Sequence, residues 1–317
     1  MSDYHYGGQA VLEGVMMRGE HNAVIAVRGP DKQIVTQREA LDSPLYRSRW
    51  AKMPFVRGLV MLWDTLSLGY RALMFSANVQ LQEDDQPLTG GTMVGTMLVS
   101  LLFVVGVFFL LPMFLVGLVD RVIASDFLST LLEGLIRVGL FLAYLWAISL
   151  MPDIRRVFAY HGAEHKTVNA QEAGVPLEPA QVQAFSTAHT RCGTSFLLVV
   201  MVIFVLITVL LGRPPLWLRL ISRIVLIPVV AGISYEWIKF AAAHMDHPLV
   251  RLLAAPGLAI QRLSTREPDD DMVEVAIVAL RETIAADAAG ADAAGADAAG
   301  ADAAGADAAG ADAPAAS

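Results

Sequence analysis

Apolar residues in this chain gather into four long runs separated by polar segments, and that pattern sets the first expectation. The runs are Thr92 to Val119, Leu131 to Met151, Ser195 to Leu211 and Ile221 to Ala243. Each approaches the roughly 20 residues, at about 1.5 Å of rise each, that a helix needs to cross a bilayer. The third lies near the lower limit. The second carries Glu133 and Arg137 one helical turn apart, placed by the pattern near a helix start, where neutralisation or an interfacial position makes charge tolerable.

Between the runs the periodicity changes. Pro54 to Val79 has apolar residues every three or four positions and reads as one helix, lying in the membrane interface or packed on the bundle. Asp153 to Glu172 reads as another, opened by Pro152 and stopped by Gly174 and Pro176, although Gly162 within it costs about 1 kcal/mol relative to alanine. Near the start, "QAVLEGVMM" and "HNAVIAVRG" have the short apolar character of strands, and "GPDKQ" is a turn joining "AVIAVR" to "IVTQRE" in a hairpin.

After the fourth run, "HPLVRLLAAPGLAIQRLST" is apolar but broken by Pro248, Pro256 and Gly257. That favours a re-entrant or interfacial segment over a fifth crossing. "EPDDDMVEVAIVALRETI" then reads as a helix with Pro268 near its first turn and three aspartates at its positive dipole end. From Ala286 onward "ADAAG" repeats, with glycines that break helix and almost nothing to bury, so a disordered, solvated tail is expected.

The expected fold class is a mainly α membrane protein with about four transmembrane helices, a small N-terminal β element and cytoplasmic or interfacial helices. Its parts would be a β-rich segment over 1–52, an amphipathic helix and linker over 53–91, and a transmembrane bundle over 92–260 that includes a cytoplasmic segment at 152–194. A cytoplasmic helix over 261–285 and the tail over 286–317 complete the chain.

Composition supports the membrane reading. Of 317 residues, 55% are hydrophobic and 17% charged, and a mean hydropathy of +0.53 is seldom reached by soluble domains. The formal charge of −8 comes mostly from aspartates of the tail repeat, so it says little about partners, and no nucleic-acid partner is expected. A single cysteine, Cys192, excludes an intramolecular disulfide. Met1 to Gly19 lacks the features of a signal peptide, so a later span is expected to direct insertion. Lys and Arg number nine in residues 1–91 and four in 152–194, with four more after Phe240 beside Lys239. The alternate side holds only Arg121, Arg213, Arg219 and Arg223. The positive-inside rule then places both termini and the 152–194 segment in the cytoplasm of a multi-pass protein.

Candidate chemistry centres on "YHGAEHKT". On a helix, His161 and His165 project from one face a turn apart, with Glu164 on the same side. This is the H-x-x-E-H order of inverted zinc peptidases, in which the histidines ligate Zn²⁺ and the glutamate is the general base. Arg155, Arg156 and Lys166 fall largely on other faces, where solvent would hold them. A catalytic zinc usually has three protein ligands and an open fourth position, so a third ligand is needed. His189 and Cys192 in "STAHTRCGTSF" and Glu236 in "SYEWIKF" are the candidates. Each has an alternative: His189 as an interfacial or capping histidine, Cys192 as a small buried residue, and Glu236 as a salt-bridge partner of Lys239 or Arg191.

Six motifs in order, "YGGQAVLEGVMMRG", "PFVRGLVML", "YHGAEHKTVNAQE", "HTRCGTSF", "GISYEWIK" and "TREPDDDMVEVAIVAL", resemble the YqhQ-like family of bacterial membrane proteins. Members are catalogued as a domain of unknown function and described as predicted metal-dependent enzymes. The resemblance runs from about Tyr6 to Ala285. It implies an inner-membrane location and carries polar motif positions onto Gln9, Glu13, Arg18, Arg57, His161, Glu164, His165, Lys166, Glu172, His189, Arg191, Cys192 and Glu236, with Glu13 expected as a charge partner of Arg57 or Arg18. Two functions follow as expectations. One is a membrane-embedded metal-dependent hydrolase, with Zn²⁺ on His161, His165 and His189 or Glu236, Glu164 deprotonating water, and a peptide or lipid-linked substrate arriving from the bilayer. The other is a non-catalytic scaffold or transporter-like protein in which His161, His165, His189 and Cys192 close a structural metal or ion-pair cluster.

Overall fold

The computed structural model describes residues 5–41, 53–81, 90–119, 122–123, 125–212 and 214–289. Four strands open the chain: β1 Gly7–Val11, β2 Gly14–Arg18, β3 Asn22–Arg28 and β4 Ile34–Ala40, an antiparallel meander in the order β1-β2-β3-β4. The expected hairpin is β3 and β4, paired from Asn22↔Ala40 to Arg28↔Ile34. The run "QAVLEGVMM" is two strands rather than one, divided at Leu12 and Glu13 and paired from Gly7↔Arg18 to Val11↔Gly14. Neither central residue of that turn is glycine, asparagine or proline, although Gly14 follows as the first residue of β2. Glu13 itself adopts φ 50°, a conformation uncommon outside glycine, and its carboxylate is held by Arg156, with both contacts at 2.6 Å, and by the Tyr160 hydroxyl at 3.3 Å. Tertiary contacts thus support a turn that the local sequence does not announce, and the partner is Arg156 rather than Arg57 or Arg18.

β2 and β3 are apolar at successive positions because both faces of the sheet are covered. Val15, Met17 and Ala26 face one cluster with Tyr160, Ala163, Val273 and Leu280. Val11, Met16, Ile25 and Val27 face another with Leu68 and Ala72. The first cluster comes from helices α5 (Pro152–Glu172) and α10 (residues 270–289), the second from α1 (Val56–Gln80). The sheet is therefore the middle layer of three.

The remaining helices form the bundle. The first apolar run is α2 (Gly90–Val105), a π turn at Gly106–Leu110, and α3 (Leu111–Val119); α4 is Asp126–Ile148, the short α6 is Pro179–Val182, α7 is Gly193–Leu211, α8 is Leu216–Ala243 and α9 is Pro248–Ser264. Among the described residues, four helical stretches are long and apolar enough to cross a membrane: Val94–Val119, Asp126–Ile148, Gly193–Leu211 and Trp217–Ala243. The second starts earlier than its hydropathy suggests because Ser125 caps it, accepting from Leu128 N at 3.4 Å, with Asp126 in the first turn. Glu133 and Arg137 then lie inside this helix, and both are buried. Their charges are met by each other and by Arg223, each guanidinium standing 2.9 Å from Glu133 Oε1.

Two further segments differ from their patterns. α9 is one continuous helix through Pro256, tied to α7 where the Ser195 hydroxyl donates to Gly257 O at 2.6 Å. α10 begins after Asp269, whose carboxylate accepts from Met272 N at 2.9 Å, and runs beyond Ala285 to residue 289. Asp287, the first aspartate of the repeat, is only 8% exposed. It accepts from the backbone N–H groups of Glu20 (2.7 Å), His21 (3.1 Å) and Asn22 (3.0 Å), three successive donors in the β2–β3 turn. Gly19 permits the approach, since a Cβ there would stand 2.1 Å from Asp287 Oδ2. The rest of the expected tail, residues 290–317, lies outside the described residues.

α1 packs on α8 at one end and on the sheet at the other. Arg57 forks onto Glu236, with Nε 2.7 Å from Oε1, and Phe55 N adds a contact of 3.2 Å. Its outer face shows Trp63 and Leu66, the amphipathic surface that a membrane interface accepts.

Candidate metal centre

α5 is the central helix of the sheet-bearing half, and nearly everything from Ala159 to Ala170 is buried. Gly162 explains itself here. A Cβ at this position would stand 2.1 Å from Arg266 O, because the chain leaving α9 runs against the helix and Arg266 N donates to Phe158 O at 2.9 Å. The same close approach delivers Ser264 O to His161 Nδ1 at 2.8 Å, and the loop before α7 delivers Thr187 O to His165 Nδ1 at 2.6 Å. A carbonyl only accepts, so Nδ1 carries a proton in both rings, and in the neutral imidazole Nε2 is then the nitrogen with the lone pair.

His161 Nε2 turns toward Cys192. Its sulfur lies 3.5 Å from His161 Nε2, and it caps α7 by accepting from Thr194 N at 3.4 Å. One ligand atom each from His161, His165 and Cys192 all fall within 4.8 Å of one another, a spacing at which three donors can share a cation. Glu164 closes one side. Its Oε2 is 3.4 Å from His165 Nε2, and its side chain is 4% exposed. Strand β1 forms the wall behind it, where a Cβ on Gly8 would come within 2.8 Å of Glu164 Cγ and 2.6 Å of Met16 O. Alanine at Gly8 would therefore press on the carboxylate.

His189 stands beside this group. Its ring centre is 5.6 Å from that of His165, Gln261 grips its backbone N–H and C=O at 2.9 and 2.8 Å, and its Nε2 lies 3.6 Å from Glu172 Oε2. Glu172 also meets Arg191 and, at 3.6 Å, His5. Glu236 is held by Arg57 and is not among the grouped ligands. Lys166 is buried, with Nζ 2.7 Å from Gln183 O and 2.8 Å from Glu267, so it is not the solvated residue its helical position suggested. Gln9 faces Gly69 on α1, and Arg18 pairs with Asp64. Sequence reasoning missed Gly8, Gln261 and the carbonyls of Thr187 and Ser264. The "GG" pair that opens β1 was the one available signal.

Burial works against the charge of Glu172, but hydrogen bonds and positive charge from His189 and Arg191 outweigh it and bring its carboxyl from 4.5 down to about 2. A depressed carboxylate contributes stability that is complete above its unfolded value and vanishes as the pH falls through the folded one. Thermal melts of the micellar protein are therefore expected to weaken between pH 4.5 and about 2. Glu172→Gln should flatten that slope, and an unchanged slope would refute the assignment.

The fold and this cluster define a class: a mainly helical chain with four helices of membrane-crossing length, a small N-terminal sheet, and buried His and Cys side chains at the end of one of those helices. The chain belongs to the family described as protein of unknown function (DUF1385), whose model matches residues 53–286. It is 36% identical over 296 residues, 89% of this chain and 93% of the relative, to the uncharacterized protein YqhQ of Bacillus subtilis (strain 168). The resemblance carried by the six motifs is thus correct. No solved structure matches.

Proposed function

We propose that this chain is a membrane-embedded, metal-dependent enzyme of the hydrolase class, with a divalent cation, Zn²⁺ by its donor set, held by His161, His165 and Cys192. The observation that carries the reading is the pair of Nδ1 to carbonyl bonds, which holds both rings by Nδ1, together with His161 Nε2 facing the Cys192 sulfur. Metal-ligating histidines are commonly oriented in this way. The 3.5 Å between His161 Nε2 and Cys192 Sγ matches the edge of a zinc tetrahedron, about 3.5 Å for bonds of about 2.0 and 2.3 Å. Three protein donors leave a fourth position open, the arrangement of catalytic rather than structural zinc.

A cation there would supply Lewis acidity, lowering the pKa of water toward neutrality and polarising a carbonyl. Glu164 accepts the proton of the attacking water, and β1 shields that carboxylate from bulk solvent. Because Cys192 caps a helix of membrane-crossing length and α5 joins two such helices, the centre lies at the end of the bundle that the Lys and Arg count assigns to the cytoplasm. A peptide or lipid-linked substrate entering along the membrane surface suits that position.

Metal analysis of the purified protein is expected to find about one zinc per chain, and Co²⁺ substitution should give a thiolate-to-metal charge-transfer band. His161→Ala should lose the metal and Cys192→Ser the band, while Glu164→Gln should keep both and lose turnover. Wild-type protein that binds neither ion would end the reading.

A further inference from the structure

The half of the bundle away from the histidines holds a second charged cluster that the proposed reaction does not use. From Cys192 it is reached along α7 at Phe204, about 18 Å away at 1.5 Å per residue. Arg137 and Arg223 both place a guanidinium nitrogen 2.9 Å from the same oxygen, Glu133 Oε1. Arg137 is well satisfied otherwise. Its Nε donates to Phe108 O at 2.7 Å, within the π turn, and its guanidinium lies 5.5 and 5.4 Å from the ring centres of Phe109 and Phe204.

Arg223 shares the Phe204 ring, its guanidinium 5.7 Å from the ring centre, but differs in its hydrogen bonds. The residue is 9% exposed, yet its Nε and Nη1 have no acceptor among the described residues. The same holds for Nε of Arg219, one turn earlier on the same face of α8 and partly exposed. Two guanidiniums share one carboxylate among apolar helices, which leaves an excess positive charge and several unused donors. Buried charge of this kind is costly unless paired, and charged groups within spanning helices mark functional sites by default. The missing partner is an anion.

Guanidinium groups fit phosphate through paired, planar N–H donors. Arg219 and Arg223 lie three and seven residues into α8, about 5 and 11 Å along its axis, within snorkelling reach of a leaflet's headgroup region. Their neighbours Trp217, Ile221, Ile224 and Val225 are exposed, so the approach to the cluster is apolar rather than aqueous. We infer that Arg219 and Arg223, backed by Glu133 and Arg137, bind the phosphate group of an anionic phospholipid in the leaflet opposite the metal centre. The inference rests on the membrane placement proposed above and is independent of the metal.

The test uses the full chain in neutral-detergent micelles, with thermal unfolding followed after addition of phosphatidylglycerol, of diacylglycerol without phosphate, or of inorganic phosphate. Phosphatidylglycerol is expected to raise Tm by about 3–5 °C, as a ligand of the folded state alone should, and the other two to leave it unchanged. Arg223→Gln and Arg219→Gln should each lose most of the rise; if the former fails to fold, the latter, at the exposed rim, decides. An equal rise with inorganic phosphate would assign the site to an aqueous anion, and an equal rise with diacylglycerol to an acyl chain. Either result, no rise at all, or a full rise in Arg219→Gln overturns the inference. Zinc content measured on the same samples reports separately on the metal centre.

Discussion

Gly162→Ala is expected to destabilise the protein by about 3 kcal/mol or more, at the upper end of what forced overpacking costs. Helix propensity alone predicts the opposite sign, a gain of about 1 kcal/mol when alanine replaces a helical glycine. Contact decides between them. The added Cβ would meet Arg266 O at 2.1 Å, backbone against backbone, with Thr187 Cγ2 at 3.3 Å on the other side. The Arg266 carbonyl is main chain and cannot swing away as a flexible side chain would. The displaced segments carry Ser264 O and Thr187 O, the acceptors that orient His161 and His165. Zinc affinity should therefore fall about 10- to 100-fold together with stability, as it does when groups orienting ligands are lost. Thermal melts and a competitive metal titration read the two effects, and a variant with wild-type Tm and affinity would show that the close approach is dispensable.

Glu133→Ala is expected to cost about 3–5 kcal/mol, the range for removing one partner of a buried ion pair. Two guanidiniums share this one carboxylate oxygen, and Arg223, whose Nε and Nη1 have no acceptor among the described residues, would lose its ion-pair partner. Gln at the same position keeps an acceptor and should cost less. Replacing all three charges together, Glu133→Leu with Arg137→Met and Arg223→Met, should recover much of the loss, because apolar packing often equals a buried ion pair in stability. Thermal unfolding in micelles orders the three variants; a single alanine variant as stable as wild type would mean that the pairing contributes nothing.

The bundle was legible because hydropathy over a span-length window is a property of the local chain. Helix starts were less so, since α4 begins with Ser125 and Asp126 and α8 contains Arg219 and Arg223, all of which lower the window. The β1–β2 division was hidden because Glu13, not glycine, takes the positive φ. At the candidate site, residue type and helical spacing pointed to His161 and His165, and Cys192 was among the third ligands weighed. What separated it from Glu236 was a fork of hydrogen bonds from Arg57, 179 positions away in sequence, and no local pattern encodes such a partner. Carbonyl anchors such as Ser264 O leave no side-chain signature at all.

The grip of Asp287 on the Glu20–Asn22 turn also bears on the order of events during synthesis. The turn leaves the ribosome early, whereas its acceptor follows 265 residues later, after every helix of membrane-crossing length has been made. At about 5–20 residues per second, the interval is roughly 13–53 s. For most of it the sheet lacks α10, which covers Val15 and Met17, and until Ser264 is made His161 lacks that carbonyl. The N-terminal layer must therefore wait, with apolar strands uncovered, for α10 to arrive, and the candidate metal centre is completed only after the helices of membrane-crossing length described above have been made.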